Sequence, residues 1–220
     1  MKIVYFLTAL LILALPGSLA ASPLTFTPNP SQLGDLDHDT VWTWRIDNVN
    51  LETGYHVTSA SLTISGIYNW ADEPNRLFLH LMDTASNSGT ASRSDNSSSI
   101  SDYFLNPSLS FAPAYGASNV LLTSPSFAGG YEDRINYTYI FTPQQLTVLE
   151  SYIKNNGNFA LGLDPDCHYY NDGISLQMTT AHAPEPGTSL LVGACLLLGI
   201  PLIRRCAGIR TRSSSDEPQS

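Results

Sequence analysis

Basic residues are scarce between Ala21 and Pro184, where five Lys and Arg stand against sixteen Asp and Glu. A surface field of that sign repels phosphate backbones, which excludes nucleic acid as a partner. Cysteine is scarcer still. Cys167 is alone in this stretch, because Cys195 and Cys206 fall within and after an apolar run near the C-terminus. One cysteine cannot staple a domain to itself, so the fold must rest on a packed core, with Cys167 read as a buried, inert thiol. Catalytic signatures are also missing. There is no G-x-S-x-G nucleophile elbow, and the acidic neighbours Asp72-Glu73 and Glu132-Asp133 point to opposite faces of an extended chain rather than across a sugar cleft. The chain is read as no enzyme.

Long apolar runs are present only at the two ends. MKIVYFLTALLILALPGSLA has Lys2, an apolar run, then Pro16, Gly17 and the small residues Ser18 and Ala20, the order of a secretory signal over residues 1–20. Near the other end, residues 188–203 are sixteen positions without a charge, which as a helix would rise about 24 Å against a hydrocarbon core of about 30 Å. Arg204, Arg205, Arg210 and Arg212 follow, a bias that holds a flanking segment in the cytoplasm. The expected organisation is an exported domain over 21–180, a linker over 181–187, a transmembrane helix over 188–203 and a basic cytoplasmic tail over 204–220.

The triplet Pro184-Glu185-Pro186, the short apolar stretch and the pair Arg204-Arg205 occur in that order. This arrangement resembles the PEP-CTERM sorting tail of exopolysaccharide-producing Gram-negative bacteria. The resemblance covers about Ala183 to Arg205. It implies recognition by an exosortase in the inner membrane, an inner-membrane intermediate, and delivery to the cell surface or extracellular matrix. Family members usually stop soon after the basic cluster, whereas this chain continues with CAGIRTRSSSDEPQS.

Within the exported part, apolar residues alternate. Trp42, Trp44 and Ile46 share one face; so do Ala60, Leu62 and Ile64; Leu77, Leu79 and Leu81; Tyr137, Tyr139 and Phe141; Phe159, Leu161 and Leu163; and Ile174, Leu176 and Met178. Six one-faced strands predict two antiparallel sheets packed face to face, an all-β sandwich of jelly-roll or galactose-binding-like style. One short helix interrupts them. Thr142-Pro143-Gln144-Gln145 has the form of a capping box with proline at the first helical position, Leu146, Leu149 and Ile153 form a stripe, and Asn156-Gly157 supplies the stop. The polar, Ser- and Asn-rich stretch 83–110 reads as a long surface loop, and 112–130 as a second loop with one short strand at 119–122.

Two acidic clusters are the candidate ion site. Asp35, Asp37 and Asp39 surround His38 just before the Trp42 strand; Asp164, Asp166 and Asp172 lie in LDPDCHYYNDG between two strong strands. Oxygen ligands at near-alternate spacing in turns suit Ca²⁺ in a structural role, although neither cluster matches an EF-hand loop. Turn chemistry alone is one alternative, since Asp and Asn bond to their own backbone. A transition-metal or catalytic site is another, with His38, His168 and Cys167 as zinc donors. If the first and last strands are neighbours, the clusters meet. The second cluster also resembles a turn in β-sandwich modules of other sorting-tail proteins.

Trp70, Tyr169 and Tyr170 lie near loops and are the candidate sugar-stacking residues, whereas Trp42 and Trp44 read as core. The functional expectation is a non-catalytic cell-surface or matrix protein associated with exopolysaccharide. The alternative is a carbohydrate-binding module with a structural calcium.

Overall fold

The computed structural model describes residues 23–72, 74–95, 102–105 and 118–183. The chain divides into a body, Ala20–His182, and a second unit, Met1–Leu19 with Ala183–Ser220. Of the second unit only Ala183 is among the described residues.

The body is built from two antiparallel sheets. Its strands are β1 (Pro23–Phe26), β2 (Thr40–Ile46), β3 (Tyr55–Asn69), β4 (Asn75–Met82), β5 (Gly89–Ser94), β6 (Asn119–Thr123), β7 (Ser126–Phe127), β8 (Ile135–Ile140), β9 (Phe159–Pro165), β10 (Tyr169–Tyr170) and β11 (Gly173–His182). The first sheet runs β1-β11-β3-β10, with β8 also on β3; the second runs β5-β2-β9-β4-β6, with β7 also on β4. β10 and β11 continue one register along β3, from Tyr169 opposite Asn69 to Gly173 opposite Ser65. The alternating residues Ala60, Leu62, Ile64, Leu77, Leu79, Leu81, Phe159, Leu161, Leu163, Ile174, Leu176 and Met178 are all buried in one cluster between the sheets. The fold is therefore an all-β, sandwich-like architecture with one short helix.

That helix, α1 (Pro143–Asn156), begins and ends on the residues the sequence marks. Thr142 Oγ1 accepts from the Gln145 N–H, the Gln145 side chain accepts from the Thr142 N–H at 2.9 Å, and Gly157 closes the last turn in the left-handed region. Leu149, Tyr152 and Ile153 are buried against the sheets, and Glu150 accepts from the Val57 N–H at 3.0 Å, fastening α1 to β3. Removing the cap oxygen with Thr142→Ala is expected to cost about 1 kcal/mol, read as a fall of a few degrees in Tm.

Several expectations are corrected. The stretch 83–110 is not all surface loop: β5 lies along β2, and a 3₁₀ turn over Tyr103–Leu105 buries Tyr103. Nor is β9 open to solvent on its outer side: it is buried at every residue, and Phe104 lies over Gly162, where a Cβ would come within 2.6 Å of the Phe104 ring. Only a residue without a side chain admits that ring. Trp42 is only partly buried, although Trp44 and Ile46 are in the core as expected.

The membrane expectations are also corrected. Among the described residues no helix is long and apolar enough to cross a membrane. α1 has 14 residues and carries Gln144, Glu150 and Lys154, which makes it too short and too polar. A transmembrane helix, a membrane partner held through a C-terminal helix and an inner-membrane stage of delivery therefore find no support among the described residues. Residues 188–203 themselves lie outside the described residues.

Candidate functional site

The first and last strands are neighbours: β1 pairs with β11 in antiparallel register. Past β1 the chain returns along the β10 edge, and Leu36 forms an isolated bridge with Tyr169, their backbone bonds being 2.9 and 3.1 Å long. Leu36 and Tyr169 are both fully buried. Period-two alternation then turns Asp35 and Asp37 on one strand, and His168 and Tyr170 on the other, away from the core.

This places three carboxylates and two imidazoles together. Asp37 Oδ1 lies 3.0 Å from His38 Nδ1 and 3.7 Å from His168 Nε2. The far nitrogens of both rings face other carboxylates: His168 Nδ1 is 2.9 Å from Asp35 Oδ2, and His38 Nε2 is 3.5 Å from Asp39 Oδ1. The two imidazoles meet edge to face at 5.2 Å. Asp37, His38 and His168 each offer a ligand atom, all within 4.8 Å of one another, and all three side chains are half-buried. They can hold a metal ion.

Beside this cluster runs a strip of aromatic rings. Ile67 and Asn69 of β3 point inward, so Tyr68 and then Trp70 point outward, the latter 68% exposed. Tyr170 stacks on Tyr68 at 5.2 Å with 21° between the planes, and lies 6.2 Å from Trp70. Tyr131 meets Tyr68 edge-on at 5.4 Å, with the Arg134 guanidinium 4.8 Å above the Tyr131 ring. The strip and the cluster are joined: burial first, then the charge of Asp35 and a hydrogen bond to it, raise the Tyr170 phenol above its usual value.

The other residues singled out in the sequence sit elsewhere. Tyr169 is 0% exposed, its ring edge-on to Phe127, so it offers no face to a sugar and that assignment is corrected. Burial, then Asp166, pushes its phenol far up. Asp164 is buried on the outer side of the second sheet, where its Oδ2 accepts the Tyr103 N–H at 2.7 Å. Asp166 accepts from the Arg76 N–H and the Tyr169 hydroxyl, and Asp172 pairs with Arg134. These three carboxylates are already engaged and do not join Asp35, Asp37 and Asp39. Cys167 is half-buried against the core rather than fully enclosed. Pro184, Glu185, Pro186, Arg204 and Arg205 lie outside the described residues.

Tyr68 and Tyr131 are not among the residues the sequence marks. Tyr68 was legible, standing on β3 two residues before Trp70. Tyr131 was not, because only the packing of a turn 63 residues downstream on Tyr68 brings it in. The class that fold and site define is a two-sheet β protein with a partly exposed aromatic strip and an Asp/His cluster beside it. No protein-family model, curated protein or solved structure matches the chain.

Proposed function

We propose that the protein is a non-catalytic carbohydrate-binding module whose ligand lies along Trp70, Tyr170, Tyr68 and Tyr131, beside a loop braced by an ion. The adjacent first and last strands are compatible with the jelly-roll or galactose-binding-like form of the sandwich. The observation that carries the reading is the exposure of Trp70 next to the Tyr170 and Tyr68 rings, with Tyr170 hydrogen-bonded to Asp35 of the Asp/His cluster. Exposed Trp70 and Tyr131 flanking the half-buried Tyr170 and Tyr68 make an apolar patch that a folded surface does not need for its own stability. The C–H faces of pyranose rings match it, and Asp35, Asp72 and Arg134 supply hydrogen-bonding groups at its margin. Calcium, expected from the acid-rich sequence, fits the gathered donors poorly. Three of the six carboxylates are engaged elsewhere, and two of the nearest donors are imidazole nitrogens rather than oxygens.

The test is titration of the full chain against a panel of soluble polysaccharides by affinity electrophoresis and calorimetry. One or more should bind. Trp70→Ala should weaken that binding about 10-fold or more, as expected of a central aromatic anchor. Absence of binding across the panel, or binding indifferent to both Trp70→Ala and Tyr170→Ala, would overturn the proposal.

A further inference from the structure

Resting on the reading of the Asp/His cluster as an ion site, we infer that its occupant is a zinc-class transition dication, bound by Asp37 Oδ1, His38 Nδ1 and His168 Nε2 and oriented by Asp35 and Asp39. The argument lies in which nitrogen of each ring faces which oxygen. Asp37 Oδ1 is the common centre, 3.0 Å from His38 Nδ1 and 3.7 Å from His168 Nε2. Each ring turns its second nitrogen outward to a different carboxylate: His168 Nδ1 to Asp35 at 2.9 Å, and His38 Nε2 to Asp39 at 3.5 Å. A metal-ligating histidine commonly has this form, one nitrogen on the ion and the other held by a carboxylate that fixes ring orientation and raises basicity. A histidine serving only as a surface counter-ion has no need of two carboxylates placed on opposite sides of its ring. Here both histidines have them.

The donor set decides the class of ion. Two imidazoles and one carboxylate are borderline ligands that suit Zn²⁺ and its neighbours; Ca²⁺ prefers six to eight oxygens. Three protein ligands leave a fourth tetrahedral position open to water or a ligand oxygen. The ligand atoms now lie within 4.8 Å of one another, and a tetrahedral site with bonds of about 2.0 Å needs them about 3.3 Å apart. Asp37 and His38 are each 39% exposed and His168 is 34% exposed, so small side-chain rotations close that gap without moving the core. The surrounding excess of sixteen acids over five bases favours any cation near the surface. The ion would join the segment before β2 to the turn between β9 and β10 at the end of the aromatic strip.

The experiment is metal titration of the full chain after chelator treatment, using Zn²⁺, Co²⁺ and Ca²⁺ separately. We expect one Zn²⁺ per chain, one Co²⁺ with the intense visible bands of a tetrahedral site, and no displacement of either by millimolar Ca²⁺. His38→Gln and His168→Gln should each abolish the Co²⁺ bands. Asp35→Asn and Asp39→Asn should weaken Zn²⁺ affinity about 10- to 100-fold, the usual effect of losing an orienting carboxylate. Melting in chelator, unchanged among the variants, shows that each still folds. Binding of Ca²⁺ but not Zn²⁺, or Zn²⁺ binding undiminished in both His variants, overturns the assignment. Failure to bind any metal overturns it as well, and polysaccharide binding measured on the same sample then shows whether the sugar reading stands without an ion.

Discussion

Between about pH 4 and pH 7 the folded protein is expected to lose stability as pH rises, through one buried carboxyl group. Asp164 is 3% exposed, and burial pushes its pKa from 3.8 up to about 7. The Tyr103 N–H opposes that shift, while the charges of Asp102, Asp95 and Asp166 add to it. The folded state thus holds a proton on Asp164 over a range in which the unfolded chain has already released it. The stabilisation is complete below about pH 4 and is lost as pH climbs through about 7, an effect on the order of 4 kcal/mol. Asp164→Asn keeps an acceptor for the Tyr103 N–H and removes the titration. Urea unfolding at pH 4.5 and 7.5 should show a midpoint that falls with pH in the parent and much less in the variant. An equal fall in both would mean that Asp164 ionises as an ordinary surface acid. Asp166, raised chiefly by burial, has the same sign; it is present in both proteins and cancels in the comparison.

His80→Ala is expected to cost about 3–5 kcal/mol, the range for removing one member of a buried polar pair and leaving the other unmatched. The His80 side chain is 0% exposed and the Asp102 side chain 8%. His80 Nε2 is 2.9 Å from Asp102 Oδ2, and its Nδ1 is 3.1 Å from Asn119 Oδ1. Asp102 accepts the Phe104 N–H at 3.1 Å, and the Asn119 side-chain amide donates to the Phe104 carbonyl at 3.2 Å. The residues 102–105 are thereby fastened over the outer side of the second sheet, with the Phe104 ring 4.8 Å from that of His80. Loss of His80 leaves Asp102 buried without its partner and opens a space in the middle of β4. A double-mutant cycle of His80→Ala and Asp102→Ala, read by urea midpoints at constant m, should give a coupling of about 1–3 kcal/mol. Strict additivity would show that the two side chains act independently.

Both predictions concern residues whose surroundings a linear reading misplaces. Asp164 reads as an oxygen ligand because Asp166 and Asp172 stand near it in a turn-like stretch. Alternation already separates it from them: Leu163 faces the core, so Asp164 faces the outer side of its sheet, beside Phe78. What alternation does not reveal is that this outer side is covered. The cover comes from residues 102–105, in a stretch whose Ser and Asn content reads as solvent-exposed loop. Tyr169 departs from its expected role for a related reason. Its burial follows from the bridge to Leu36, two residues with nothing in their local composition to announce the pairing.

The cluster itself was half legible. Asp35, Asp37, His38 and Asp39 are contiguous, and neighbouring first and last strands were enough to bring His168 toward them. Which carboxylates would stay free was not legible, because the Arg76 N–H claims Asp166, and Arg134 claims Asp172, from separate strands and turns.

Periodicity and capping are properties of a few consecutive residues, and the chain alone determined what depends on them: the strand character of its apolar segments, which side chains face the core, and both ends of α1 from Thr142 and Gly157. Tertiary structure decided the rest: the strand order, the cover over β9, the row from Trp70 to Tyr131, and the convergence of His38 and His168 on Asp37. Each of those depends on contacts between segments far apart in the chain, whose free energy comes from surface buried jointly and so belongs to no single segment.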